Sequence, residues 1–203
     1  MSRLEKALSV LLGHGELTNH LAQVLASACK RGRVVYREIE VMVDGDAEDV
    51  LLLGSEWGLM FPVRTHKSAA WEDRLLVTNP EELYEVPNIV RCLVKNARRT
   101  GRWEPECAIV GLFKDMGELN WEQMPKLVEE LEQRAEDNRI TASQIKMVCG
   151  QLGLGDEVDA LIAELKASGV MSPKLGSLVE VSRAGAPIYE LNRSLFMKKG
   201  EKE

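Results

Sequence analysis

The chain has 203 residues, room for one ordinary domain or two small ones. Hydrophobic residues make up 45% and charged residues 29%, which excludes a disordered chain. The formal net charge of -6, from 26 Lys and Arg against 32 Asp and Glu, excludes attraction of the whole molecule to nucleic acid or an anionic membrane and leaves room only for a local basic patch.

Met1 to Lys6 leads into an amphipathic segment. No apolar run approaches the length of a signal-peptide core or a membrane span; the longest, Val50 to Leu53, stops at Gly54-Ser55-Glu56. Residues 7–17 end in Gly15-Glu16-Leu17, and a helix is expected from near Thr18, with Leu21 and Leu25 on its apolar face. Arg33-Val34-Val35 reads as a short extended piece and Arg37 to Val43 as a short helix. A third helix over Asp46 to Gly58 stops at Gly58-Leu59-Met60-Phe61-Pro62. A wing containing Trp71 is expected over Phe61 to Val77; Trp57, at the end of the third helix, and Trp71 would complete a small core or, if exposed, mark a partner surface.

Glu81 to Val86 leads to Pro87, which suits the first turn of a helix running to about Thr100-Gly101. Ile89, Leu93 and Ala97 can face a core, while Arg91, Lys95, Arg98, Arg99 and Arg102 recur on one side. This is the one strongly basic stripe in an acidic chain.

The second half then echoes the first. Residues 109–119 match residues 7–17 and end in Gly117-Glu118-Leu119. A helix over Trp121 to Asp137 places Leu127 and Leu131 where the first half has Leu21 and Leu25, given about one extra helical turn. Arg139-Ile140-Thr141 parallels Arg33-Val34-Val35, Ile145 parallels Ile39, and Val148 parallels Met42. Glu157 to Gly169 runs alongside Asp46 to Gly58, and Gly169-Val170-Met171-Ser172-Pro173 repeats the helix stop. Two strands are expected near Leu178 to Ser182 and Pro187 to Asn192, with Arg183-Ala184-Gly185-Ala186 as their hairpin.

The order helix, short strand, helix, turn, helix, hairpin resembles the winged helix-turn-helix superfamily. The resemblance is closest in Ile162 to Pro173 and Tyr189-Glu190-Leu191, and it covers about residues 17–77 and 121–195. It implies an α+β, mainly helical fold: a unit at 1–80, a basic linker helix at 81–104, a second unit at 105–197 and a disordered tail at 198–203. It also implies DNA binding by the third helix and wing. The third helices resist that role. Asp46, Glu48, Asp49 and Glu56 stand on the first with no Lys or Arg, and Asp156, Glu157, Asp159 and Glu164 stand on the second against Lys166 alone.

Two functions remain in play. One is binding of double-stranded DNA, with a role in transcription regulation, through Arg91, Lys95, Arg98, Arg99 and Arg102, joined by Arg64 and Lys67 in the first wing and Arg183 in the second. The other is a protein-interaction adaptor, partnered by another protein or a second copy. The competing fate of the stripe is pairing with the chain's own acids, such as Glu129, Glu130 and Glu132. His14, His20 and His66 have no metal-ligand spacing, and Cys29, Cys92, Cys107 and Cys149 form no C-x-x-C pair, so no metal and no cofactor are expected and free thiols in a cytoplasmic setting are. No nucleophile elbow, phosphate loop or dinucleotide fingerprint occurs, so no enzymatic activity is expected.

Overall fold

The computed structural model describes residues 1–63, 70–71, 74–174 and 185–197. Helix α1 (Arg3–Leu12) opens on a capping box: Ser2 Oγ accepts from the Glu5 amide at 3.1 Å, and the Glu5 carboxylate accepts from Ser2 N at 2.6 Å. There follow α2 (Glu16–Arg31), β1 (Arg33–Val35), α3 (Tyr36–Val43), α4 (Ala47–Glu56), β2 (Phe61–Pro62) and β3 (Leu83–Glu85). Helix α5 (Asn88–Thr100) leads to α6 (Pro105–Met116), a 3-10 turn at Trp121–Gln123, α7 (Met124–Arg134), β4 (Arg139–Thr141) and α8 (Ala142–Gln151). The chain closes with a 3-10 turn at Gly155–Glu157, α9 (Val158–Ser168), β5 (Met171–Lys174), β6 (Ile188–Leu191) and a 3-10 turn at Arg193–Leu195. The fold is α+β and mainly helical, with two small antiparallel sheets of order β1-β3-β2 and β4-β6-β5.

The second half repeats the first down to single hydrogen bonds. Arg33 lies opposite Glu85 and Val34 opposite Tyr84; Arg139 lies opposite Glu190 and Ile140 opposite Tyr189. Pro62 and Pro173 sit opposite those two tyrosines, each on an edge strand, where a residue without an N–H is tolerated. Val86 N donates to Gly32 O and Leu191 N to Asn138 O, both at 2.9 Å, and the accepting residues share the left-handed backbone, φ 77° and 65°. Tyr36 N donates to Glu82 O and Ala142 N to Pro187 O, both at 2.8 Å.

Four expectations differ from the fold. Leu83–Glu85 is the middle strand of the first sheet rather than the approach to a helix. Three residues between glutamates are too few to display a strand period, and the anchor is tertiary: Tyr84 is fully buried and its hydroxyl donates to Val77 O at 2.7 Å. The strand partner of β6 is Met171–Lys174, directly after the helix stop, while Leu178 to Ser182 lies outside the described residues. Helix α2 starts at Glu16; Thr18 is buried in its first turn and its hydroxyl donates back to Gly13 O at 3.1 Å. Helix α7 is shorter than expected, preceded by the 3-10 turn and ended before a tight turn in which Glu136 and Arg139 exchange backbone hydrogen bonds.

One apolar core runs through both halves. Helix α5 sits at its centre, packed on α1, α2, α6 and α9. The halves also meet directly, and reciprocally. Gly58 (φ 68°) approaches Asn192 and Arg193 so closely that a Cβ would lie 2.5 Å from Asn192 Oδ1. Gly169 (φ 76°) approaches Pro87 and Asn88, where a Cβ would lie 2.6 Å from Pro87 Cβ. Counting from the paired tyrosines Tyr84 and Tyr189, Pro87 and Asn192 hold the same place, so each half offers the other the same two pieces of backbone. Two-fold symmetric dimers are built from contacts of this kind.

Candidate nucleic-acid interface

Helix α5 divides its residues sharply. Ile89, Val90, Leu93, Val94 and Ala97 are fully buried, which at roughly 1.5–3 kcal/mol for each larger side chain anchors the helix in the core. Lys95, Arg98, Arg99 and Arg102 point outward and are exposed, and Arg91 is half-buried. Arg91, Lys95, Arg98 and Arg99 line one groove, whereas Arg102 lies past the Gly101 helix stop and outside that lining. Arg3 adds a cation at the far end of the helix: its Nη1 donates to Arg99 O at 2.5 Å, next to the Gly101 stop, where a positive charge complements the helix C-terminus.

Beside this face runs a groove of about 610 Å³ lined by Lys30, Arg91, Lys95, Arg98 and Arg99, with Cys29, Cys92, Val94 and Leu112 among its other walls. Among the described residues, no carboxylate lines it. Among the described residues none of its five cations lies in an ion pair. Glu129 and Glu130 are engaged elsewhere, by Lys126 at 3.1 and 3.0 Å, with Arg134 also on Glu130 at 2.6 Å. Neighbouring cations one helical turn apart, such as Arg91 with Lys95 and Lys95 with Arg99, stand about 6 Å apart along the axis, within one screening length, so their potentials add.

Arg91 is the best-positioned of them. Its Nε donates to Cys29 O and its Nη1 to Asn88 Oδ1, each at 3.3 Å, and the guanidinium lies against Gly32, 3.2 Å from where a Cβ would be. Asn88 in turn donates to Ala167 O at 3.1 Å, so Arg91 is braced from both halves. The thiols in the groove are protonated. Burial pushes Cys29 up to about 12 against the opposing pull of Arg91 and Arg98, and it raises Cys92 as well. All four cysteines are free.

Arg64, Lys67 and Arg183 lie outside the described residues, as does His66. Lys30 and Arg3 were missed by helix-by-helix reading. The run Lys30-Arg31-Gly32-Arg33, spanning a helix end and a strand start, was the visible signal for the first.

The outer faces of α4 and α9 carry the opposite charge. Glu48, Asp49 and Glu56 are exposed on α4, as are Asp156, Glu157 and Asp159 around the start of α9. Asp46 receives His20 Nδ1 at 2.9 Å. The C-terminal ends of both helices face the other half: Ser55 and Glu56 line a crevice with Glu190 and Arg193, and Ala167 accepts from Asn88. Among the described residues, no group of three or more His, Cys, Asp or Glu could hold a metal ion, and no helix is long and apolar enough to cross a membrane.

A protein-family model matches residues 4–201, nearly the whole chain, and the chain belongs to that uncharacterised family. No curated protein matches it. No solved structure matches it either.

Proposed function

We propose that this member of the family matched over residues 4–201 is a non-enzymatic, cytoplasmic nucleic-acid-binding protein of two winged-helix units, holding duplex DNA by its phosphates along α5. The observation that carries this reading is the groove with five cations and, among the described residues, no carboxylate in its walls and no ion pair to those cations. The twice-repeated element order supports the winged-helix assignment. In the usual docking of that fold the N-terminal part of the third helix meets the bases. Here that part is acidic in both halves, so α5 supplies the contact and the third helices stand away from the phosphates. Recognition of this kind is by backbone and shape, with transcription regulation as the role it would serve.

The test is a salt series with random duplex DNA, using the full chain and an Arg98→Glu/Arg99→Glu/Arg102→Glu variant. Affinity should fall steeply with salt, and the variant should bind weakly with a log–log slope shallower by about 3. Absence of binding at low salt, or an unchanged slope in the variant, refutes the reading. The protein-adaptor reading is favoured by the exposed apolar run Leu75-Leu76-Val77 and by Leu119, 89% exposed, and it predicts that first outcome.

A further inference from the structure

The reciprocal docking of the two halves creates two equivalent crevices, and they have diverged. One lies where Gly58 meets Asn192 and has a volume of about 240 Å³. Phe61 and Trp71 occupy its wall, stacked with centroids 4.6 Å apart and planes 5° apart, and its charged lining is Glu56, Glu190 and Arg193. The other lies where Gly169 meets Pro87 and has a volume of about 710 Å³, the size range of small-molecule sites. Ser172 stands in place of Phe61, Lys166 in place of Ser55 and Ala167 in place of Glu56, so this crevice has exchanged one ring and a carboxylate for a hydroxyl and a cation, while Trp71 lines both crevices.

Among the described residues, its charged lining is Arg31, Arg33, Arg74, Arg91 and Lys166 against Glu85 alone. Glu85 is taken by Arg74 and Arg31 is taken by Glu38, which leaves Arg33, Arg91 and Lys166 without an ion pair among the described residues. Arg74 supplies a second, independent sign of a missing ligand. Its side chain is only 8% exposed, its Nη1 donates to Pro62 O at 3.0 Å and to Glu85, and its buried Nε has no hydrogen-bond partner. Native proteins rarely leave such a donor unsatisfied.

We infer that this crevice is a binding site for a small phosphate-bearing anion, held between the two halves by Arg33, Arg74, Arg91 and Lys166. The cations come from β1, the segment after β2, α5 and α9, and so converge from several sides. That suits a tetrahedral oxyanion, which accepts in several directions; a planar carboxylate is satisfied by a single guanidinium fork. The site is separate from the groove along α5, sharing only Asn88 and Arg91 with it.

Calorimetric titration of the full chain with pyrophosphate, at ionic strength matched by NaCl, tests it. One pyrophosphate per chain is expected, with a Kd of about 10–100 μM and a rise in Tm. An Arg33→Gln/Lys166→Gln variant alters two exposed side chains, so it should fold normally and bind at least about tenfold more weakly. The Arg98→Glu/Arg99→Glu/Arg102→Glu variant should keep its pyrophosphate affinity whether or not it binds DNA, which separates this site from the nucleic-acid reading. No heat beyond the salt control, equal affinity in the Arg33/Lys166 variant, or loss of binding in the α5 variant would overturn the proposal. So would citrate binding as tightly as pyrophosphate.

Discussion

Glu164 has one carboxylate oxygen buried without a hydrogen-bond partner, next to Glu118. Burial raises its pKa first, and the neighbouring Glu118 adds to this, bringing it to about 7. Burial pushes Glu118 upward too, but hydrogen bonds from Glu164 and the Asn120 amide outweigh that and hold it low. The pair therefore shares one proton near neutrality. Because the folded state holds this proton more tightly than the unfolded chain, the stability it lends is present below the ordinary Glu range and lost as pH rises to about 7. Glu164→Gln keeps a donor toward Glu118 at every pH. We expect it to leave Tm unchanged near pH 4.5 and raise it by about 2–4 °C at pH 8, a gain of about 1 kcal/mol seen in thermal melts. The first half has Leu53 at the matching place, and no spacing rule links Glu118 to Glu164, so this contact was not legible in the sequence.

At the scale of elements, α5 was the most legible part of the chain and β3 the least. A helix of thirteen residues repeats its pattern often enough to show both its apolar side and its cations. A strand of three residues shows no period, and β3 exists because Tyr84 finds a buried slot between two partners far away in sequence. The groove was half legible for the same reason: the α5 cations follow from spacing, whereas Lys30 reaches them only through the packing of α2 on α5. Leu93 shows how much rests on this helix. It is fully buried, so Leu93→Ala should cost about 2–5 kcal/mol, read as a lowered urea midpoint at unchanged m-value. An effect below about 1 kcal/mol would mean that α5 is peripheral.

At the scale of the whole molecule, the decisive residues are the two glycines that let the halves touch. Gly58→Ala would force a Cβ onto Asn192, which is buried and holds Gly169 O at 3.0 Å and both Ser194 N and Ser194 Oγ, at 3.0 and 2.7 Å. Gly169→Ala would push on Pro87 at the entry to α5. Each substitution also meets a left-handed backbone, and each should cost about 2–3 kcal/mol. Both should shift a single calorimetric transition; two resolved transitions would show that the halves melt independently. The reciprocity at these glycines does not extend to the charge. Among the described residues, the place in the second half that matches α5 holds a 3-10 turn, Arg193–Leu195. Among the described residues, a body that repeats itself thus carries an unrepeated cationic track. Twofold dimers favour inverted-repeat targets, because each subunit offers the same track in opposite senses. A single track has a head and a tail, so under the function proposed above each chain would present it to a duplex in one direction only.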